Sequence, residues 1–131
     1  MALVLLVEDH ADSADMVAGL LRKRSHVVLV APNGAAALKL LVDGFFPDVV
    51  LLDLQMPIMD GVTFLDIFRS FEIYRAVPVV VISALSSCQS TELSQYRVVS
   101  VLTKGRVDLT ALGESIDRLD HKLAQAGPAM V

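Results

Sequence analysis

Val49-Val50-Leu51-Leu52-Asp53-Leu54-Gln55-Met56-Pro57-Ile58-Met59-Asp60-Gly61 is the stretch on which the fold turns. Four aliphatic residues run straight into an aspartate, and a proline and a glycine punctuate the residues beyond it. An apolar run that is continuous rather than alternating fits a strand buried on both faces, as in a parallel sheet covered by helices. The Asp53 carboxylate then stands at that strand's carboxyl end. Four further runs have the same valine-rich character, at residues 3–7, 27–30, 77–82 and 98–102.

Helical spacing fills the gaps between them. Val17, Leu20 and Leu21 form a stripe after Asp12, which reads as its N-cap. Ala37, Leu40 and Leu41 form a second after Asn33, stopping at Gly44, and Leu65 and Phe68 share a face after Gly61. Leu109, Leu112, Ile116, Leu119 and Leu123 recur at alternating steps of three and four after Asp108. Residues 86–96 are polar and poor in core residues, and read as a short helix. Five strand-helix units in succession predict a doubly wound, flavodoxin-like α/β domain with strand order 2-1-3-4-5 and five helices. Gly19 and Gly113 fall inside helices, where each costs up to about 1 kcal/mol relative to alanine, and close packing is the only reason the sequence suggests.

The 131 residues suit one domain able to bury about two-thirds of its unfolded surface. One cysteine, Cys88, rules out a disulfide scaffold and suits a reducing compartment, so the expected location is the cytoplasm. A net charge of −4 disfavours direct nucleic-acid binding. No apolar run approaches the ~20 residues of a membrane span, and the N-terminus lacks the basic residues of a signal peptide.

Ligands of such folds bind beyond the carboxyl ends of the strands, near the point where strand order reverses. Glu8 and Asp9 end the first strand, Asp53 the third, Ser83 the fourth and Thr103-Lys104 the fifth. Strands one and three are neighbours in the predicted order, so three carboxylates converge on one rim. They repel one another, which invites a cation, and hard oxygen donors open to water suit Mg²⁺. With that charge offset by metal and by Lys104, one carboxylate is able to attack phosphorus and form an acyl phosphate, while the ammonium and hydroxyl hold phosphoryl oxygens. Each residue alone has a plainer reading: an aspartate after a strand is often a turn or cap residue, a lone serine a turn hydroxyl, a lone lysine a solvated charge. Their joint placement at four strand ends is not something core packing requires.

Those residues carry a family likeness. The sequence resembles the receiver domain of two-component response regulators, from about Leu3 to about Leu123. The stretch ending in Gly61 is similar to the family's phosphorylation segment, with proline four and glycine eight residues after the acceptor. Val7-Glu8-Asp9 matches the acidic pair, and the intervals from Asp9 to Asp53 and from Asp53 to Ser83 agree with the family's usual ones. The resemblance implies Asp53 as phosphoryl acceptor, with Mg²⁺ held by Asp9, Asp53 and the Gln55 backbone carbonyl, and by Glu8 through metal-bound water. It implies that Ser83 and Lys104 each hold a phosphoryl oxygen, and that Gln55 and Leu85 tune phosphoryl lifetime. It further implies a histidine kinase or histidine phosphotransfer protein as donor, with small donors such as acetyl phosphate also serving. An effector or a second copy would bind through the face of the predicted fourth helix, fifth strand and fifth helix. The expected activity is autocatalytic phosphoryl transfer with slow self-dephosphorylation on a signalling switch, not turnover of a metabolite. Residues 1–125 are assigned to the receiver domain and 126–131 to a C-terminal tail or the start of a linker.

Three positions depart from the family pattern. Gly105 follows Lys104 where proline is usual, often through a cis bond; a cis bond without proline costs ~2.5–4 kcal/mol, so the expectation is a trans, looser loop. Val101 occupies the switch position where the family carries Tyr or Phe, and valine has no ring to swing and is stiff at χ1. Tyr96 precedes the strand and reads as a packing residue. The Ser83–Lys104 interval is about one residue short, which points to a remodelled surface after the fourth strand. His10 beside the acid pair reads as an exposed histidine or a rim residue, and Cys88 as an incidental thiol.

Two other classes compete. A degenerate receiver would act as a constitutive protein-docking module; Val101 and Gly105 favour it, and the intact Glu8, Asp9, Asp53, Ser83 and Lys104 oppose it. A dehalogenase-like phosphatase needs a second aspartate two residues after the nucleophile, where this chain has Gln55, and an FMN-binding flavodoxin needs a phosphate loop that the first strand lacks. No helix-turn-helix, kinase core or effector segment is recognisable after Leu123, so a free-standing regulator and a receiver from a longer protein both remain open.

Overall fold

Strand β1 (Leu3–Val7) is the spine of the structure, a computed structural model that describes residues 1–53, 59, 61–83, 98–103 and 109–126, with side chains for 1–53, 59, 61–82, 98 and 110–123. Around it, α1 (Ala11–Lys23), β2 (Val27–Ala31), α2 (Gly34–Val42), β3 (Val49–Asp53), α3 (Gly61–Ser70), β4 (Val79–Ser83), β5 (Val98–Thr103) and α4 (Leu109–Ala126) come in chain order. The five strands are all parallel and lie in the order β2-β1-β3-β4-β5, as the flavodoxin-like reading requires. Four α-helices are present among the described residues, and the predicted helix at 86–96 lies outside them.

Alternate residues of each central strand feed two separate cores, which is why β1 and β3 carry no polar position before their ends. Leu5, Val7, Val50, Leu52, Val79 and Val81 face one cluster, capped by Ala37 and Leu41 of α2 and Phe64, Leu65 and Phe68 of α3. Val4, Leu6, Val49, Leu51 and Val80 face the other, capped by Ala14, Ala18 and Leu21 of α1 and Leu112 and Ile116 of α4. Each fully buried Leu or Phe contributes roughly 1.5–3 kcal/mol.

Several expectations are corrected. β2 is not buried on both faces: Val27, Leu29 and Val30 are exposed, because the strand is the sheet's edge and helices cover only part of it. Asp12 is not the N-cap of α1. His10 takes that position in extended conformation, its carbonyl accepting the Ala14 N–H at 2.9 Å, because the chain turns directly out of the acid pair. Asp12 instead lies in the first turn, where its charge meets the positive helix end. The buried face of α1 is Ala14, Ala18 and Leu21 rather than the larger stripe, since alanines let the helix approach the sheet. Leu123 is 37% exposed, beyond the end of the core that Leu112 and Ile116 enter. Asn33 does cap α2, its side chain accepting the Ala36 N–H at 2.8 Å, and Gly44 supplies the positive φ (108°) just past the helix end. A short 3₁₀ turn at Glu72–Tyr74, which the sequence did not suggest, buries Tyr74 against Phe68 with ring centroids 5.0 Å apart.

A polar clasp, equally unannounced by the sequence, fastens α4 to the start of β2. His26 is buried; its Nδ1 accepts the Ala2 N–H at 3.0 Å, so Nε2 carries the proton and donates to Asp117 Oδ1 at 2.7 Å. Arg24 donates to the other Asp117 oxygen at 2.6 Å. Between them Ser25 adopts a positive φ of 71°, the reversal through which both neighbours reach one carboxylate. The His26 hydrogen bond is the largest effect holding the Asp117 carboxyl below its ordinary value; desolvation opposes it, and the hydrogen bond and charge of Arg24 add to the lowering.

Candidate metal and phosphoacceptor site

The parallel register decides what meets at the carboxyl end of the sheet. Val7 pairs with Leu52, so the next residues of the two strands, Glu8 and Asp53, emerge side by side. Asp9 comes directly after. One oxygen from each of Glu8, Asp9 and Asp53 lies within 4.8 Å of the others. Asp53 is only 2% exposed and Glu8 5%, whereas Asp9 is open to solvent, so the cluster has a walled side and a wet side.

Backbone bonds set Glu8 in place. Its N–H donates to the Ala31 carbonyl at 3.0 Å, tying it to the end of β2, and the His10 N–H donates to its Oε1 at 3.1 Å. His10 is exposed, as the sequence suggested. On the other flank, Asp53 pairs with Ile82 and Ser83 with Thr103, so the backbones of Ser83 and Thr103 end on the same rim as Asp53. Val101 lies within β5 opposite Val81. Gln55, Leu85, Lys104 and the Lys104-Gly105 bond lie outside the described residues, as do Cys88 and Tyr96.

Three carboxylates this close, two of them withdrawn from water, form a hard, anionic oxygen set with one face accessible to solvent. That donor set fits a small divalent cation which keeps part of its hydration, and Mg²⁺ is the common ion of that type. Among the described residues no helix is long and apolar enough to cross a membrane.

The response regulator receiver domain family matches residues 4–117. A protein-glutamate methylesterase/protein-glutamine glutaminase from Rhodopseudomonas palustris is 34% identical over 98% of this chain, and the chain spans 36% of that relative's length. The receiver domain of Francisella response regulator 1452 superposes with a TM-score of 0.82 at 27% identity, covering 93% of this chain and 98% of that one. The receiver domain of sensor histidine kinase PA1611 from Pseudomonas aeruginosa, whose structure has a magnesium ion in the active-site cleft, gives 0.78 at 24% identity, covering 90% and 96%. At that identity the likeness speaks to the fold.

Proposed function

We propose that this chain, which belongs to the response regulator receiver domain family, is a phosphorylation-dependent switch that accepts a phosphoryl group on Asp53 in a Mg²⁺-dependent reaction. The observation that carries the reading is the convergence of Glu8, Asp9 and Asp53 from two neighbouring strand ends. Mg²⁺, held by Asp9 and Asp53 with the Gln55 carbonyl, and by Glu8 through water, would supply the charge neutralisation that lets an anionic donor approach an anionic acceptor. The magnesium ion in the active-site cleft of the Pseudomonas receiver domain supports Mg²⁺ as the ion.

An Asp53 carboxylate oxygen forms a bond to phosphorus as the donor's N–P bond breaks, and the departing imidazole takes up a proton. Lys104 and Ser83 would hold the transferred oxygens, one by charge and one by hydrogen bond. Burial of Asp53 keeps bulk water from its flank, which favours a phosphoryl lifetime long enough to signal, with Gln55 and Leu85 as the neighbours that tune it. The donor would be a histidine kinase or histidine phosphotransfer protein, and the chain itself a signalling element in the cytoplasm rather than a metabolic enzyme. The methylesterase relative supports an effector as the downstream partner.

Intact mass after incubation with acetyl phosphate, with and without Mg²⁺, tests this. A Mg²⁺-dependent phosphoryl adduct on the wild type that Asp53→Asn lacks is the expected result. Normal Mg²⁺ binding without an adduct from either acetyl phosphate or a panel of phosphohistidine donors would favour the docking module that Val101 and Gly105 suggest. Absence of both adduct and Mg²⁺ binding would sink the phosphoacceptor reading.

A further inference from the structure

Glu8 has the longest side chain of the clustered carboxylates, and it is buried. Sheet pairing fixes only its backbone, through the N–H bonded to the Ala31 carbonyl. The carboxylate lies three side-chain torsions further out, and Asp9 and Asp53, with oxygens within 4.8 Å, repel it. A buried charge under that repulsion swings away from its neighbours unless a donor holds it. The His10 N–H is such a donor, at 3.1 Å from Glu8 Oε1. The bond joins a side-chain oxygen to the main chain two residues on, as aspartate and asparagine do in turns, here with one methylene more.

The donor is itself anchored. His10 is the N-cap of α1, with φ −87° and ψ 109°, and its carbonyl accepts the Ala14 N–H at 2.9 Å. Ala14, Ala18 and Leu21 seat that helix on the sheet. One residue's main chain is therefore fastened at both ends, its carbonyl to the helix and its N–H to Glu8. The imidazole shares in neither bond: it makes no capping hydrogen bond and is exposed.

We propose that His10 is a positioning residue that acts through its main-chain N–H, holding the Glu8 carboxylate among Asp9 and Asp53 in readiness for the cation. This rests on the reading of the three carboxylates as a cation site. A charge-assisted bond of this kind fixes the carboxylate's orientation whichever of its oxygens faces the ion. It also removes side-chain freedom that binding would otherwise have to freeze. The role belongs to the N–H and not to the imidazole, so it discriminates against proline at position 10, although the φ there is close to proline's own.

The test is Mg²⁺ affinity, followed by backbone amide NMR, for wild type, His10→Ala, His10→Pro, Glu8→Ala and the Glu8→Ala/His10→Pro double variant, with urea unfolding of each. His10→Ala keeps the N–H and is the reference for losing the imidazole. Against it, His10→Pro should bind about tenfold more weakly, the low end of the roughly 10–100-fold that loss of a ligand-orienting group costs. In the Glu8→Ala background the carboxylate to be held is gone, and His10→Pro should change affinity by no more than about twofold. A folded His10→Pro that binds as well as His10→Ala would overturn the proposal. So would an equal loss in both backgrounds, which would trace the effect to Asp9, whose backbone a following proline restrains. If His10→Pro does not fold, an α-hydroxy acid placed at position 10 removes the same N–H as an ester, and the same two criteria decide. A wild type that binds no Mg²⁺ would bring down the underlying cation site instead. The hold on Glu8 is then read without the ion: the His10 amide proton should move upfield in Glu8→Ala, and an unmoved signal would overturn it.

Discussion

A methyl group added at Gly113 would stand 2.3 Å from Arg24 Nε and 2.8 Å from its Cδ, whereas one added at Gly19 would meet nothing within 4 Å. Both glycines cost their helices the same propensity, yet only Gly113 has something in its place: the Arg24 side chain crossing α4 to reach Asp117 one turn further on. Gly19→Ala should therefore stabilise the protein by up to about 1 kcal/mol in urea unfolding. Gly113→Ala should show that gain only in an Arg24→Ala background; in the wild type it displaces the guanidinium and forfeits a partly exposed ion pair worth about 0.2–1 kcal/mol. Equal effects in the two backgrounds would refute the account of Gly113. Asp117 makes a prediction in pH. Its folded-state carboxyl lies below the ordinary value of 3.8, so its stabilisation is complete above that value and is lost as pH falls through the folded one. The difference in melting temperature between wild type and the near-isosteric Asp117→Asn should accordingly narrow below about pH 4. A gap that widens on acidification would contradict the sign. The group is 42% exposed, so the effect should be modest and weaken with salt.

At the scale of an element, β2 is the informative one. As the sheet's edge it exposes Val27, Leu29 and Val30, an arrangement prone to pairing with another chain. Arg22, in the last turn of α1, donates to the Val28 carbonyl at 2.9 Å and so occupies one acceptor on that edge. Arg22→Ala should raise concentration-dependent light scattering while leaving Mg²⁺ affinity intact, and unchanged scattering would show that the guanidinium does not guard the edge. α2 is the shortest α-helix among the described residues and leans on its cap. Asn33→Ala, which removes the acceptor for the Ala36 N–H, should cost about 1 kcal/mol. α3 is held differently, by aromatic layering in which Phe64 stacks on Phe68 and Phe68 on Tyr74 of the following turn.

For the whole molecule, the carboxylate cluster couples ligand binding to stability. The end of the sheet gathers negative charge from Glu8, Asp9 and Asp53, and a cation that binds only the folded state stabilises it by mass action, about 2.7 kcal/mol at a hundred times its dissociation constant. Mg²⁺ should raise the melting temperature, chelator should reverse the rise, and Asp53→Asn should blunt it. An equal rise in wild type and Asp53→Asn would mean that the ion binds elsewhere. At the opposite end of the molecule the clasp of Arg24, His26 and Asp117 joins α4 to the β2 side of the sheet, so α4 is bound by both an apolar face and a polar one.

The order of elements, the parallel sheet and the three carboxylates at its rim were determined by the sequence alone. Their physical causes are local or periodic: unbroken aliphatic runs demand two covered faces, and the first polar residue after such a run marks the strand end. Asp9 and Asp53 could be placed together because strand order follows from chain connectivity. Contacts between distant side chains have no such period. Nothing in the residues near His26 announces Asp117, since the pairing exists only because α4 packs beside α1. Gly34 and Met59 are likewise far apart in the chain and ordinary in composition; the tertiary structure alone shows that one is bare because the other lies on it. The edge exposure of β2 belongs to the same class, as a valine-rich strand reads alike at the centre or the border of a sheet, and only its neighbours decide how much of it water reaches.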